Sequence, residues 1–413
     1  MYKLRKITVK KAFIICLIII TALTASSCEM AEEIINSSMD EVNNMSKSSQ
    51  YTLFSSDLIM KASEKQLTSG TLTSGNPLAL LMIKDYEIST DFIFKLNGDG
   101  TCSVFGAINP LAKELSVPEK SPGGRPVTSI HDYAFYMQIE LETITIPNTV
   151  STIGHGAFAD CKSLKAINVP DDITEIGDGA FMNCTSLENL VIPESVTKVG
   201  DWAFTSCAIK SLSIPDSVID IGTGVFFSCD NLETVDMPSG ITEITEELFH
   251  YCPSLTNVDI PKGVQSIGKK AFMSCTSLNH VEIPDGVKSI GAEAFSECSN
   301  LETIEIPDGL TEIGPGVFFL CSRLDVVRLP EGITTIPSGA FAVCGAKVKI
   351  PKSVKVIEEK AFNYYCGTLF DISYAGTWDE WCEIDIGPEN NYLNDAESMK
   401  WSFSVNKLHN QSK

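Results

Sequence analysis

A proline recurs along the chain at Pro147, Pro170, Pro193, Pro215, Pro238, Pro261, Pro284, Pro307, Pro330 and Pro351, in steps of 21 to 23 residues. A cysteine ladder keeps the same beat from Cys161 through Cys184, Cys207, Cys229, Cys252, Cys275, Cys298 and Cys321 to Cys344. A third ladder of phenylalanines runs from Phe135 to Phe362. Three residue types locked to one short period mean one small unit stacked many times, because a lone unit of this size buries too little apolar surface to offset its chain entropy. A stack of this kind offers a long surface and few deep pockets.

One unit runs from Leu301 to Cys321. Leu301, Ile304 and Ile306 are apolar, and the period of two turns Ile304 and Ile306 inward while Thr303 and Glu305 face away. Pro307 ends the strand, having no amide hydrogen to give to a ladder. Asp308-Gly309 follows as a turn pair, Leu310 and Ile313 return the chain inward, and Val317, Phe318 and Cys321 fill the space under a short helical or turn-rich back segment. Equivalent strands pair with the coil next door at about 4.8 Å, so roughly eleven of them make a parallel sheet on the order of 50 Å long. The fold class expected is a β-rich α/β solenoid, a right-handed coil with its sheet on one side.

The repeated I-P-D-x-V-x-x-I-G-x-x-A-F-x-x-C-x-x-L string, seen from Val169 through Pro170, Ile173, Ile176, Gly177, Ala180, Phe181 and Cys184 to Leu187, resembles the BspA-type, or Treponema pallidum-type, leucine-rich repeat. The resemblance covers residues 111–370. It implies a cell-surface protein of adhesive function, with host matrix or neighbouring bacteria as partners. Departures mark the ends. Leu115-Ser-Val-Pro118 reads as an earlier strand, set off from Pro147 by a loop at Ser121 to Pro126, and Gln138 stands where the ladder cysteine belongs. Beyond the repeats, Tyr374 to Trp381 breaks the pattern and resembles the G-T-x-x-x-W segment that closes such arrays, its tryptophans covering the last strand edge.

Before the repeats, Lys3, Arg5, Lys6, Lys10 and Lys11 precede an apolar run from Ala12 to Leu23, which reads as a secretory signal over 1–27. Ala25-Ser-Ser27 then leads into Cys28, an arrangement that resembles a bacterial lipobox with Ala25 where leucine is usual, and Cys28 is the expected lipidation site. Ordinary cleavage before Cys28, and an uncleaved anchor, remain as alternatives. Residues 28–75, rich in Ser, Thr, Asn and Met, read as a tether. Residues 76–110, with Phe92 to Leu96 and Asn97 to Gly100, read as a hairpin capping the first repeat, and 371–413 as a carboxy-terminal cap and tail.

The chain holds fourteen cysteines. In an exported protein these ordinarily suggest disulfides, but equivalent side chains of a coil point parallel, a poor geometry for a bond, so a reduced core ladder is expected. The five histidines are scattered, and no metal, cofactor or catalytic motif is found, so the expectation is a non-enzymatic chain without cofactors. Net charge is −22, and removing the five cations of the leader leaves −27. That balance argues against nucleic acid and against membrane contact other than through a lipid anchor.

The outward position of successive strands reads Ser116, Thr145, Asn168, Val191, Ser213, Asp236, Asp259, Glu282, Glu305, Arg328 and Lys349. Four carboxylates in register repel, a cost that a basic or metal-bridged partner would relieve; the alternative is a column that keeps the sheet soluble. Asp236, Asp259, Glu282, Glu305, Arg328 and Lys349 are therefore the candidate partner-binding residues. The partner expected is a protein or glycan on host matrix or neighbouring cells, and the location an outer-membrane or cell-surface lipoprotein, with secretion or the periplasm as alternatives. A structural spacer without a ligand is the competing reading.

Overall fold

A computed structural model describes residues 85–363, 372–390 and 393. The signal, Cys28, the tether and the tail lie outside the described residues. The chain divides into two compact units, residues 1–88 with 95–98, and residues 89–94 with 99–413. Of the first, the described part holds the strand Tyr86–Ile88 and a bond from the Leu96 N–H to the Asp85 carbonyl.

The second unit is a β-solenoid of leucine-rich-repeat type, with parallel strands and very little helix. Each coil has three sides. The first is the long strand expected from the sequence, as at Thr303–Glu305, exposed–buried–exposed. The second is a shorter strand after the proline turn, as at Glu312–Ile313, which stacks on Ser289–Ile290 and on through the array. This second parallel ladder was not anticipated. Neither side forms one continuous sheet: the long strands group as short sheets, such as the one holding Ser211–Ser213, Thr234–Asp236 and Asn257–Val258.

The third side replaces the expected mixture of helix and turn with consecutive turns. Around Phe295 the amides alternate. Those of Glu293, Phe295 and Glu297 donate to Pro315, Val317 and Phe319 of the next coil, at 2.7–3.0 Å, while those of Ala294, Ser296 and Cys298 bond within the coil to Gly291, Glu293 and Phe295. The bends come from left-handed residues two before and two after the phenylalanine, here Glu293 (φ 57°) and Glu297 (φ 63°). Such a conformation costs a non-glycine residue about 1–2 kcal/mol, so the intercoil bonds must outweigh it. Neither position reads as a turn signal in sequence, because glutamate, lysine and leucine occupy it as well as glycine.

Inside, the phenylalanines form one stack. Phe135 and Phe158 lie 5.0 Å apart at 6°, Phe226 and Phe249 5.5 Å at 5°, and the column runs on to Phe362. Phe92 of the capping strand ends the stack edge-on against Phe135, at 6.3 Å and 87°. The recurring glycines are not turn residues in the conformational sense. Gly268 has no positive φ, but a Cβ there would lie 2.6 Å from the backbone nitrogen of Glu246, so glycine is required for the coils to approach.

The cysteine ladder is buried and free of disulfides among the described residues. From Cys161 to Cys321 each thiol has a specific partner that the sequence does not reveal: it donates to the phenylalanine carbonyl of the preceding coil, as from Cys275 to Phe249 and from Cys298 to Phe272, at 3.0 and 3.1 Å. Burial pushes the Cys229 and Cys275 thiols up to about 12. Where Gln138 takes the ladder place, its Oε1 is buried without a partner.

The tryptophan segment closes the array by adding one more coil. Ile372–Tyr374 pairs with Lys347–Ile350, and Asp385–Ile386 with Val356–Ile357. Between them a five-residue helix, Trp378–Cys382, is held by a capping box in which the Thr377 hydroxyl accepts from the Glu380 amide and the Glu380 carboxylate from that of Thr377. Trp381 is buried against Tyr374 at 5.3 Å.

Two outcomes follow. Phe249→Ala, which leaves a gap between two stacked rings, should cost about 3–5 kcal/mol in urea unfolding. In native protein carrying Cys382→Ser, a thiol reagent should leave the ladder cysteines unmodified until denaturant is added, because Cys382 is the exposed one among the described cysteines.

Candidate functional site

The long-strand side presents side chains to solvent at both outward positions of each strand, because the central residue, such as Ile304, is the one turned into the core. Asp236, Asp259, Glu282, Glu305, Arg328 and Lys349 are all exposed. Ser213 is in register with Asp236, Glu282 with Glu305, Arg328 with Lys349, and Lys349 with Ser373. The structure thus places two of the carboxylates, Glu282 and Glu305, side by side, and likewise the two cations, Arg328 and Lys349. Among the described residues, no ion pair engages Asp236, Glu282, Glu305, Arg328 or Lys349, whereas the neighbouring residues on the same side do pair: Arg323 with Glu302 at 3.1 Å and Lys347 with Asp325 at 3.7 Å.

Beside Glu282 and Glu305 lies an open depression of about 550 Å³, lined by Ser277, Asn279, His280, Asn300, Glu302, Thr303 and Arg323. His280 Nδ1 and the Thr303 hydroxyl are 2.7 Å apart, and Arg323 is held between Glu302 and the Asn300 amide oxygen.

The neutral half of the column is used partly by the fold itself. The Asn168 amide accepts from the Ile146 N–H at 2.9 Å and donates to the Ile146 carbonyl at 2.8 Å, so it continues the ladder rather than facing a ligand. Val191 stands 78% exposed on the same side.

The turn side carries a cluster that the strand-centred reading missed. Trp202 meets Phe227 edge-on at 5.5 Å, and Phe227 meets His250 at 4.9 Å. Tyr251 stacks on His250 at 4.6 Å. A Cβ on Gly224 would lie 2.5 Å from the Trp202 ring, so the indole rests on that glycine. His250 is buried with neither ring nitrogen hydrogen-bonded, and Glu247 Oε1 lies 3.9 Å from Nδ1. Burial, helped by the Lys270 charge and opposed by Glu297, pushes its pKa down to about 4. The recoverable signal was the residue after each ladder phenylalanine, which reads Phe227 and His250 in adjacent coils.

Among the described residues, no group of three or more His, Cys, Asp or Glu is arranged to hold a metal, and no helix is long and apolar enough to cross a membrane.

A coil of this construction defines a leucine-rich repeat protein. The family described as the BspA type leucine rich repeat region matches residues 128–255 and 242–369, more than half of the chain, and the chain belongs to that family. A leucine-rich repeat protein from Bacteroides ovatus is similar at 24% identity and a TM-score of 0.54, over 73% of this chain and 90% of that one, which supports the fold. Also similar are the Treponema pallidum leucine-rich repeat protein (29% identity, TM-score 0.44, 46% of this chain and 90% of that one) and a leucine-rich cell surface protein of Faecalibacterium prausnitzii (27%, 0.47, 73% and 97%). Comparison with curated proteins gives no match.

His250 yields a pH prediction. Its folded pKa of about 4 lies below the ordinary 6.5, so between these values the unfolded chain binds the extra proton. Its contribution therefore destabilises the fold progressively as pH falls from 6.5 towards 4. His250→Leu should remove that slope from urea midpoints measured at pH 7 and pH 5, and at neutral pH should be neutral or stabilising by about 1 kcal/mol, since no buried nitrogens are left orphaned.

Proposed function

We propose that this chain is a non-enzymatic, exported binding protein, lipid-anchored through Cys28 at the cell surface, that presents its long-strand side to a protein or glycan on host matrix or neighbouring cells. The observation that carries the reading is the set of exposed charges from Asp236 to Lys349 on that side, with Glu282 in register with Glu305 and Arg328 with Lys349, and these four without ion-pair partners among the described residues. Side chains repeated at about 4.8 Å on a rigid ladder offer many simultaneous contacts to an extended macromolecule. Their mutual repulsion is a cost in the free protein that a basic partner segment relieves. Membership of the BspA-type family agrees with a role in macromolecular interaction. The leader over 1–27, followed by Cys28, supports export and anchoring.

The test is saturable binding of the purified full-length chain, immobilised at low density, to individual extracellular-matrix proteins and glycans. The comparison is a variant carrying Asp236→Lys, Asp259→Lys, Glu282→Lys and Glu305→Lys. Loss of at least about tenfold in affinity in the variant, with weakening at high salt, is the expected result. Binding that survives moves the site to another side of the coil. Binding by neither form favours the structural spacer.

A further inference from the structure

The charges of the outward column on the long-strand side are ordered so that this column is complementary to itself. Reading along the array, Glu282 and Glu305 are followed directly by Arg328 and Lys349, one residue per coil, all exposed and, among the described residues, without ion-pair partners. Consider two copies with these sides facing, related by a two-fold axis that runs along the strand direction between the coils of Glu305 and Arg328. The rotation keeps strand direction, reverses coil order and reverses the facing normal. Each outward column therefore lies against its own equivalent. Glu305 of one copy meets Arg328 of the other, Glu282 meets Lys349, and the symmetry makes each pairing twice. In the next layer Asp259 meets Ser373, a neutral residue in register with Lys349, so the arrangement brings no like charges of this column together. A shift by one coil would place Arg328 against itself or Glu305 against itself, so charge selects the register.

We propose that the chain self-associates through this side as a two-fold dimer held by the four intermolecular pairs of Glu282, Glu305, Arg328 and Lys349. The proposal rests on the reading of the long-strand side as a binding surface and names a second copy as an occupant. Exposed pairs contribute little individually and are screened by salt, so the dimer is weak and salt-sensitive. At high local density on a membrane, self-association would cover part of the acidic column and leave Asp236 and its neighbours towards the amino end outside the paired zone.

Sedimentation of the purified full-length chain as a function of concentration, at about 50 mM and about 500 mM NaCl, tests the idea. The expected result is a dimer whose dissociation constant rises at least about tenfold at the higher salt. Glu282→Lys with Glu305→Lys makes the zone uniformly basic, and Arg328→Glu with Lys349→Glu makes it uniformly acidic; each variant alone should be monomeric. Mixing the two should restore a heterodimer, because all four facing pairs are then opposite in sign, and the fourfold swap in one chain should restore the homodimer. Matching thermal unfolding curves exclude misfolding as the cause. A monomeric wild-type chain at every concentration overturns the proposal, as does a dimer that persists in both double variants. Neither result bears on partner binding, which is read separately on sparsely immobilised chains.

Discussion

Every part of the solenoid depends on how the backbone amides of the turn side are divided. Each coil spends alternate N–H groups on its own turns and sends the others to the next coil, as at Glu293, Phe295 and Glu297. Buried amides without partners would be costly, and this division gives those from Glu293 to Cys298 partners without a helix. It also sets the coil-to-coil distance on that side, and the ladder side chains are those that fit the distance. Phenylalanines stack face to face, and glycine occupies the place where the coils touch backbone to backbone. The thiol is small enough to sit in the core and still donate to the neighbouring carbonyl.

This arrangement explains how a chain rich in cysteine can keep its ladder thiols reduced. Their protection is geometric and electrostatic: they are enclosed, those from Cys161 to Cys321 donate to carbonyl acceptors, and burial makes them poor at forming the reactive thiolate. The same rigidity serves the outer surface. Because each coil is tied to its neighbours on three sides, the charge order along the array becomes a spatial pattern. A residue change at one coil thus alters one step of the column while leaving the rest in place, which is how repeat arrays vary a surface on a constant core.

Much of this was legible before the structure. The period of Pro, Cys and Phe identified the repeat, and the alternation in Thr303–Glu305 gave the outward column correctly. Less legible were features that arise between coils. The second strand ladder is only two residues long per coil, as at Ser289–Ile290, too short for an alternation to register. The left-handed turn positions accept Glu247, Lys270 and Leu320, so composition conceals them. Asn168 reads as a surface amide until its contact with Ile146 is seen. Trp202, Phe227 and His250 are a coil apart in sequence and meet only when the coils stack.

By itself, then, the sequence determined that this is a stacked repeat with an apolar spine, a proline-bounded strand and an ordered column of charges facing outward. Periodicity suffices for that, since every unit must solve the same local packing problem. The tertiary structure decided the rest: that the thiols donate to carbonyls, that glycine serves close approach, that the terminal tryptophan segment is one more coil, and that His250 is buried without a hydrogen-bond partner. Each of those depends on distances between residues some 20 or more positions apart, which only the stacking of one coil on the next creates.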